Sequence, residues 1–108
     1  MQVTCDETDA ALVVRLAGEV VMDAVSECRD AVERQAKASP APVVTVDLAD
    51  VAFMDSSGVG FLIGLRRLCQ DHDKTLSLAN PTPPIKKLLA MLRLTDYFAA
   101  PQPGPSGI

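Results

Sequence analysis

The segment Val43-Val44-Thr45-Val46-Asp47-Leu48 constrains the fold more than any other part of the chain. It is rich in β-branched residues and almost continuously apolar, without the polar alternation of a strand that has one wet face. A strand of this kind is buried on both sides, so helices must cover its sheet. The flanking segments can supply them. From about Met22 to Lys37, Val21, Val25, Cys28, Val32 and Gln35-Ala36 recur at helical spacing, with Asp23, Glu27, Asp30, Glu33 and Arg34 on the other faces. Ser39-Pro40-Ala41-Pro42 stops that helix. A second apolar stripe, Val59, Leu62, Ile63, Leu65, Leu68 and Cys69, follows the buried strand. A third, Ile85, Leu88, Leu89 and Leu92, follows the Pro-rich turn at Asn80 to Pro84.

Strand-like segments fill the gaps. Val3 to Cys5 and Ala11 to Leu16, the latter closed by Gly18, are separated by polar Asp6-Glu7-Thr8-Asp9 and read as a hairpin. Thr75 to Ala79 is a short alternating strand. The predicted class is therefore α/β, in the order β-β-α-β-α-β-α, with a mixed, mainly parallel sheet flanked by helices. A short strand or helix is expected near Tyr97-Phe98. Residues 1–100 are expected to form one domain, and 101–108, rich in Pro and Gly, a disordered tail.

Composition removes several function classes. Hydrophobic residues make up 48% of 108, enough for a core that needs neither disulfide nor metal. Aromatics are only Phe53, Phe61, Tyr97 and Phe98, too few for base stacking, and a net charge of −4 does not suit a phosphate backbone. No nucleic-acid partner is expected. Arg66-Arg67 and Lys86-Lys87 read as solvated helix faces. Cys5, Cys28 and Cys69 are widely spaced, without the spacing of a zinc site or disulfide framework. With no secretory signal and no apolar stretch of membrane-spanning length, the reading is a cytoplasmic protein without direct membrane binding.

The loop Met54-Asp55-Ser56-Ser57-Gly58-Val59-Gly60 joins the buried strand to the second helix. Asp and Ser are favoured N-caps, and glycines permit close packing, so a generic loop of this composition has a structural explanation. The same physics allows a function. A hydroxyl at a helix N-terminus is exposed, and a phosphate placed there meets unpaired N–H donors and the positive end of the helix dipole. The roughly −2 charge added would change the surface more than the backbone.

The surrounding residues give this loop a context. Val46-Asp47-Leu48, Val51 and Phe53 to Gly60, running into Leu62 and Leu65, resemble the STAS family and in particular bacterial anti-sigma-factor antagonists. Leu16-Ala17-Gly18-Glu19-Val20 is similar to the family's strand-end Gly-Glu-Leu segment. Leu76-Ser77-Leu78 and Leu88 to Thr95 are similar to its last strand and helix. The resemblance covers residues 3–98. It implies a partner-switching cycle in which the unmodified protein binds an anti-sigma factor, a serine kinase of the histidine-kinase-like ATPase fold, and frees the sigma factor. The kinase would phosphorylate Ser56 and a serine phosphatase would reset it. Glu19, Asp23, Met54, Asp55, Ser57, Gly58, Val59 and Gly60 would form the partner-binding surface. The chain itself would be no enzyme and hold no cofactor or metal.

Two positions depart from the family pattern. Val21 stands where many members have Asp, and Ala24 where Thr is common, with Asp23 a candidate to compensate. A constitutive STAS scaffold, or an accessory subunit of a signalling complex or lipid-transport ATPase, is the alternative. Catalytic readings are weaker. His72, the only histidine, lies over ~20 Å along the helix from Ser56 at the standard rise. Asp47, Asp50 and Asp55 lack the glycine loop that would make them a nucleotide-metal site.

Overall fold

A computed structural model of the chain describes residues 1–99, so the expectation for the 101–108 tail lies outside the described residues. The elements are β1 (Gln2–Glu7), β2 (Ala11–Val20), α1 (Met22–Ala38), β3 (Val43–Met54), α2 (Ser56–Asp71), β4 (Thr75–Ala79), α3 (Pro83–Met91) and α4 (Thr95–Ala99). They form an α/β fold around one four-stranded sheet in the order β1-β2-β3-β4. β1 and β2 are antiparallel, and β3 runs parallel to both β2 and β4. The element near Tyr97 is the short helix α4.

The hairpin turn is built by Thr8, whose hydroxyl accepts the N–H groups of Ala10 and Ala11. Arg15 of β2 pairs with Asp6 across the hairpin and reaches Asp47 of β3 at 3.7 Å. Asp47 also accepts from Ala49 N at 3.0 Å and Asn80 Nδ2 at 3.3 Å, so its carboxylate ties β3 to β2 and to the turn that follows β4. Lys74 holds the far end, its ammonium donating to the carbonyls of Ser39 and Ala41.

β2 and β3 extend beyond the sequence expectation, past Gly18 to Val20 and past Leu48 to Met54. The reason lies in two irregularities of register. Arg15 pairs with Asp47 but Ala17 with Asp50, and Gly18 pairs with Val51 but Glu19 with Phe53. Each step gives β3 one residue more than β2, as a β-bulge does. Regular alternation therefore ends at Leu48, and the next buried residues are Val51 and Met54, three apart. Gly18 sits beside this irregularity with φ +95°, a conformation that L side chains rarely adopt.

The core joins the inner residues of the strands to the stripes of all three long helices, with Val14, Val25, Val46, Leu48, Leu62, Leu65 and Cys69 fully enclosed. One surface expectation is corrected. Arg67, Lys86 and Lys87 are exposed, but Arg66 is only 6% exposed. Its guanidinium lies 4.2 Å from the centre of the Tyr97 ring, and its Nε makes no hydrogen bond. α4 covers this arginine, which the periodicity of α2 alone did not reveal. Among the described residues, no helix is long and apolar enough to cross a membrane.

Candidate functional site

The parallel pairing of β2 with β3 ends at Val20 opposite Met54. Both chains then turn into helices, so the β2–α1 and β3–α2 connections lie side by side at the C-terminal ends of the strands. This is the end of an open α/β sheet where loops are free to bind.

Asp55 organises both connections. Its backbone is extended (φ −98°, ψ −174°), and its Oδ1 accepts the N–H of Gly58 at 3.1 Å, capping α2. Its Oδ2 accepts the N–H of Met22, the first residue of α1, at 3.3 Å. Its own N–H donates to the carbonyl of Val20 at 3.2 Å. One side chain thus serves the first turns of two helices, where backbone donors otherwise lack acceptors. Val21, the N-cap of α1, has no side chain able to do so.

Gly58 is buried against this junction. A Cβ there would come 2.4 Å from Met54 Cγ and 2.7 Å from the Val20 carbonyl oxygen, closer than atoms tolerate. Its lack of a side chain lets α2 start directly against the end of β2. Gly60 differs. It is exposed, and a Cβ would meet nothing within 4 Å.

The remaining candidates divide by exposure. Ser56 is exposed at the first position of α2, Ser57 is half-buried, and Glu19 and Asp23 are exposed. Ser56 forms no side-chain hydrogen bond among the described residues, because Asp55 already caps the helix. Met54 and Val59 are 3% and 4% exposed, so their side chains support the loop from beneath. The structure brings Glu19, Asp55, Ser56 and Gly58 to one end of the sheet. Asp23 follows in the first turn of α1.

Three contributors escaped the sequence reading. The backbone of Val20 and that of Met22 hold Asp55, and the Met22 side chain is 63% exposed beside it. Phe53, next to the loop, is 50% exposed. The spacing Leu48-Val51-Met54 was the available signal, since a period of three places Phe53 outward.

Comparison with known proteins agrees with this fold. Residues 3–99 match the family described as Mlab, STAS domain. A STAS-domain containing protein of Pseudomonas aeruginosa is 34% identical over 87 residues, covering 81% of this chain and 84% of that protein. An anti-sigma F factor antagonist of Lysinibacillus sphaericus is 31% identical over 91 residues, covering 84% and 78%. Among solved structures, the anti-sigma factor antagonist SpoIIAA in its unphosphorylated form superposes with a TM-score of 0.75 at 26% identity, covering 86% of this chain and 82% of that one. SpoIIAA of Bacillus in the phosphorylated form gives 0.70, also at 26% identity, covering 86% and 85%. With residues 3–99, nearly its whole described length, matched, the chain belongs to the STAS-domain family.

Proposed function

We propose that this protein is an anti-sigma-factor antagonist switched by phosphorylation of Ser56. Unmodified, it binds an anti-sigma factor that is also a serine kinase, and so releases the sigma factor. Phosphate on Ser56 ends that binding, and a serine phosphatase restores it. The protein is a substrate and a ligand in this cycle, and supplies no catalytic group. The nucleotide belongs to the kinase.

The observation that carries the reading is the division of labour between Asp55 and Ser56. Asp55 performs the capping, which leaves the Ser56 hydroxyl exposed and unused at the helix start. The N–H groups of Ser56 and Ser57 have no acceptor within the helix, so a phosphate there has donors and a favourable dipole. The fold tolerates modification for that reason. A docked partner does not, because the dianion adds to the charge of Asp55 and must be desolvated. The solved phosphorylated form of SpoIIAA, a protein of the same fold, is consistent with such a switch.

The test is phosphate transfer from ATP by the kinase of the host. Label should map to Ser56 and disappear in Ser56→Ala, while Ser56→Asp should weaken binding of the anti-sigma factor. Label elsewhere would move the site, and undiminished binding by Ser56→Asp would remove the switch. A second reading, a constitutive STAS scaffold or accessory subunit, is favoured by apolar Val21 and Met22 beside the loop, which suit a lasting contact. It requires Ser56 to stay unmodified in a stable complex.

A further inference from the structure

Cys5 and Cys28 are far apart in the sequence, but the fold brings them to one groove. Cys5 is opposite Val14 in the β1–β2 ladder, and directly paired residues share a face of the sheet. Val14 is fully enclosed, so Cys5 projects from the edge strand toward the core side. Cys28 lies on the α1 stripe between buried Val25 and Val32 and faces back toward the sheet. Both cysteines line a groove of about 650 Å³ between β1 and α1, with Val3, Val32 and Gln35 among its other walls. Both are free and half-buried, and a charge on Cys5 is felt at Cys28. Cys69 differs, being fully enclosed in the core and outside this groove.

The two thiols are not equivalent. Burial pushes both above their ordinary 9.0, so each is held as the thiol at neutral pH. At Cys5 the neighbouring Asp6 charge pushes the same way. At Cys28 the next two influences, a backbone hydrogen bond and the Arg29 charge, oppose burial. Cys28 is therefore the attacking group and Cys5 the resolving one.

We propose that Cys5 and Cys28 are an oxidative modification site, which closes to an intramolecular disulfide when the chain meets hydrogen peroxide. The Cys28 thiolate attacks one oxygen, the O–O bond breaks, and the sulfur becomes a sulfenic acid. The other oxygen leaves as hydroxide and takes up the proton that Cys28 gave, forming water. The Cys5 sulfur then attacks the sulfenic sulfur, and the S–O bond breaks. The hydroxyl leaves with the Cys5 proton as a second water. Two thiols lose two electrons, and the peroxide gains them. Among the described strands β1 has β2 as its one neighbour, so the edge can follow the closing bond without displacing a third strand. The inference stands on these residues alone and does not rest on phosphorylation of Ser56.

The test treats the full chain at low concentration with hydrogen peroxide, alkylates the remaining thiols and digests with trypsin without reduction. Cleavage after Arg15 and Arg29 puts Cys5 and Cys28 in separate peptides, Met1–Arg15 and Leu16–Arg29. These two should appear as one linked species. The intact chain should have lost two hydrogen atoms, and dithiothreitol should restore them. Cys69 should take up the alkylating agent only after unfolding. Cys5→Ser should lose the linked species and leave Cys28 as a sulfenic acid that dimedone traps. Recovery of Met1–Arg15 and Leu16–Arg29 as separate alkylated peptides after peroxide would overturn the pair. A link that includes Cys69, or one that joins two chains, would overturn it equally.

Discussion

The carboxylate of Asp55 lies 3.3 Å from the backbone nitrogen of Met22, thirty-three residues away in sequence, and gives α1 the cap that Val21 cannot provide. The same side chain caps α2 through Gly58. The β2–α1 connection at Val21 is therefore held by the loop that carries Ser56. Asp23, the residue expected to compensate, is exposed in the first turn of α1, where its charge favours the dipole.

Removing this carboxylate should cost more than losing one ordinary cap. Asp55→Ala is expected to lower stability by about 2 kcal/mol, since each cap contributes about 1 kcal/mol. Asp55→Asn should cost about half as much, because its amide oxygen can still accept from one of the two N–H groups. Urea unfolding measures both losses. Amide hydrogen exchange at Met22 and Gly58 locates them, and exchange faster at Gly58 alone would contradict the shared cap.

The glycines of the loop should behave in opposite ways. Gly58→Ala drives a methyl into Met54 and the Val20 carbonyl, and should destabilise the protein by roughly 2–3 kcal/mol. Met54→Ala should not rescue it, because the backbone oxygen at 2.7 Å cannot be trimmed. Gly60→Ala meets open space within a helix and should stabilise by roughly 0.5–1 kcal/mol. If Gly60→Ala weakens partner binding while raising the melting temperature, Gly60 serves the close approach of that partner.

How much of this was legible depended on sequence distance. The β-branched run at Val43 marked a central strand, but not its burial on both faces: Val44, Val46 and Leu48 are buried, whereas Val43, Thr45 and Asp47 are only half-buried. The order of strands and helices followed from local periodicity. The Asp55–Gly58 cap was equally local. Its second bond to Met22 was not, because only the parallel pairing of β2 with β3 brings those connections together. Arg66 failed for a related reason. Its place on α2 gave no sign that a five-residue helix after Arg93 would lay Tyr97 across it. The spacing of Leu48, Val51 and Met54 did record both β3 irregularities, but a strand read as ending at Leu48 leaves such a signal outside it.

Arg66 is buried without a carboxylate partner among the described residues, so its packing rather than its charge should matter. Arg66→Met is expected to leave stability within about 1 kcal/mol of wild type, since an apolar chain of similar length removes an unpaired buried Nε. Arg66→Ala should cost roughly 2–3 kcal/mol from the void it opens. A double-mutant cycle of Arg66→Met with Tyr97→Leu should return a coupling of about 0.5–1 kcal/mol for the ring contact. Zero coupling would mean that the stacking adds nothing to burial.

Cys69 sets a limit on alkaline stability. It is fully enclosed on α2, and burial pushes its thiol up to about 11 from 9.0, against the opposing pull of the nearby Lys74 ammonium. The protonated thiol is the neutral form, so the folded protein holds this proton more tightly than the unfolded chain does. The group therefore leaves stability unchanged below pH 9 and subtracts from it as pH rises from 9 through 11. At pH 10 the loss attributable to this thiol should be about 1 kcal/mol, approaching about 3 kcal/mol above pH 11. Cys69→Ala should start less stable at pH 8, because it leaves a small cavity, and then lose stability more slowly with pH than wild type. Parallel stability curves for the two proteins between pH 8 and 10 would show that Cys69 ionises as readily in the folded state as in the unfolded one.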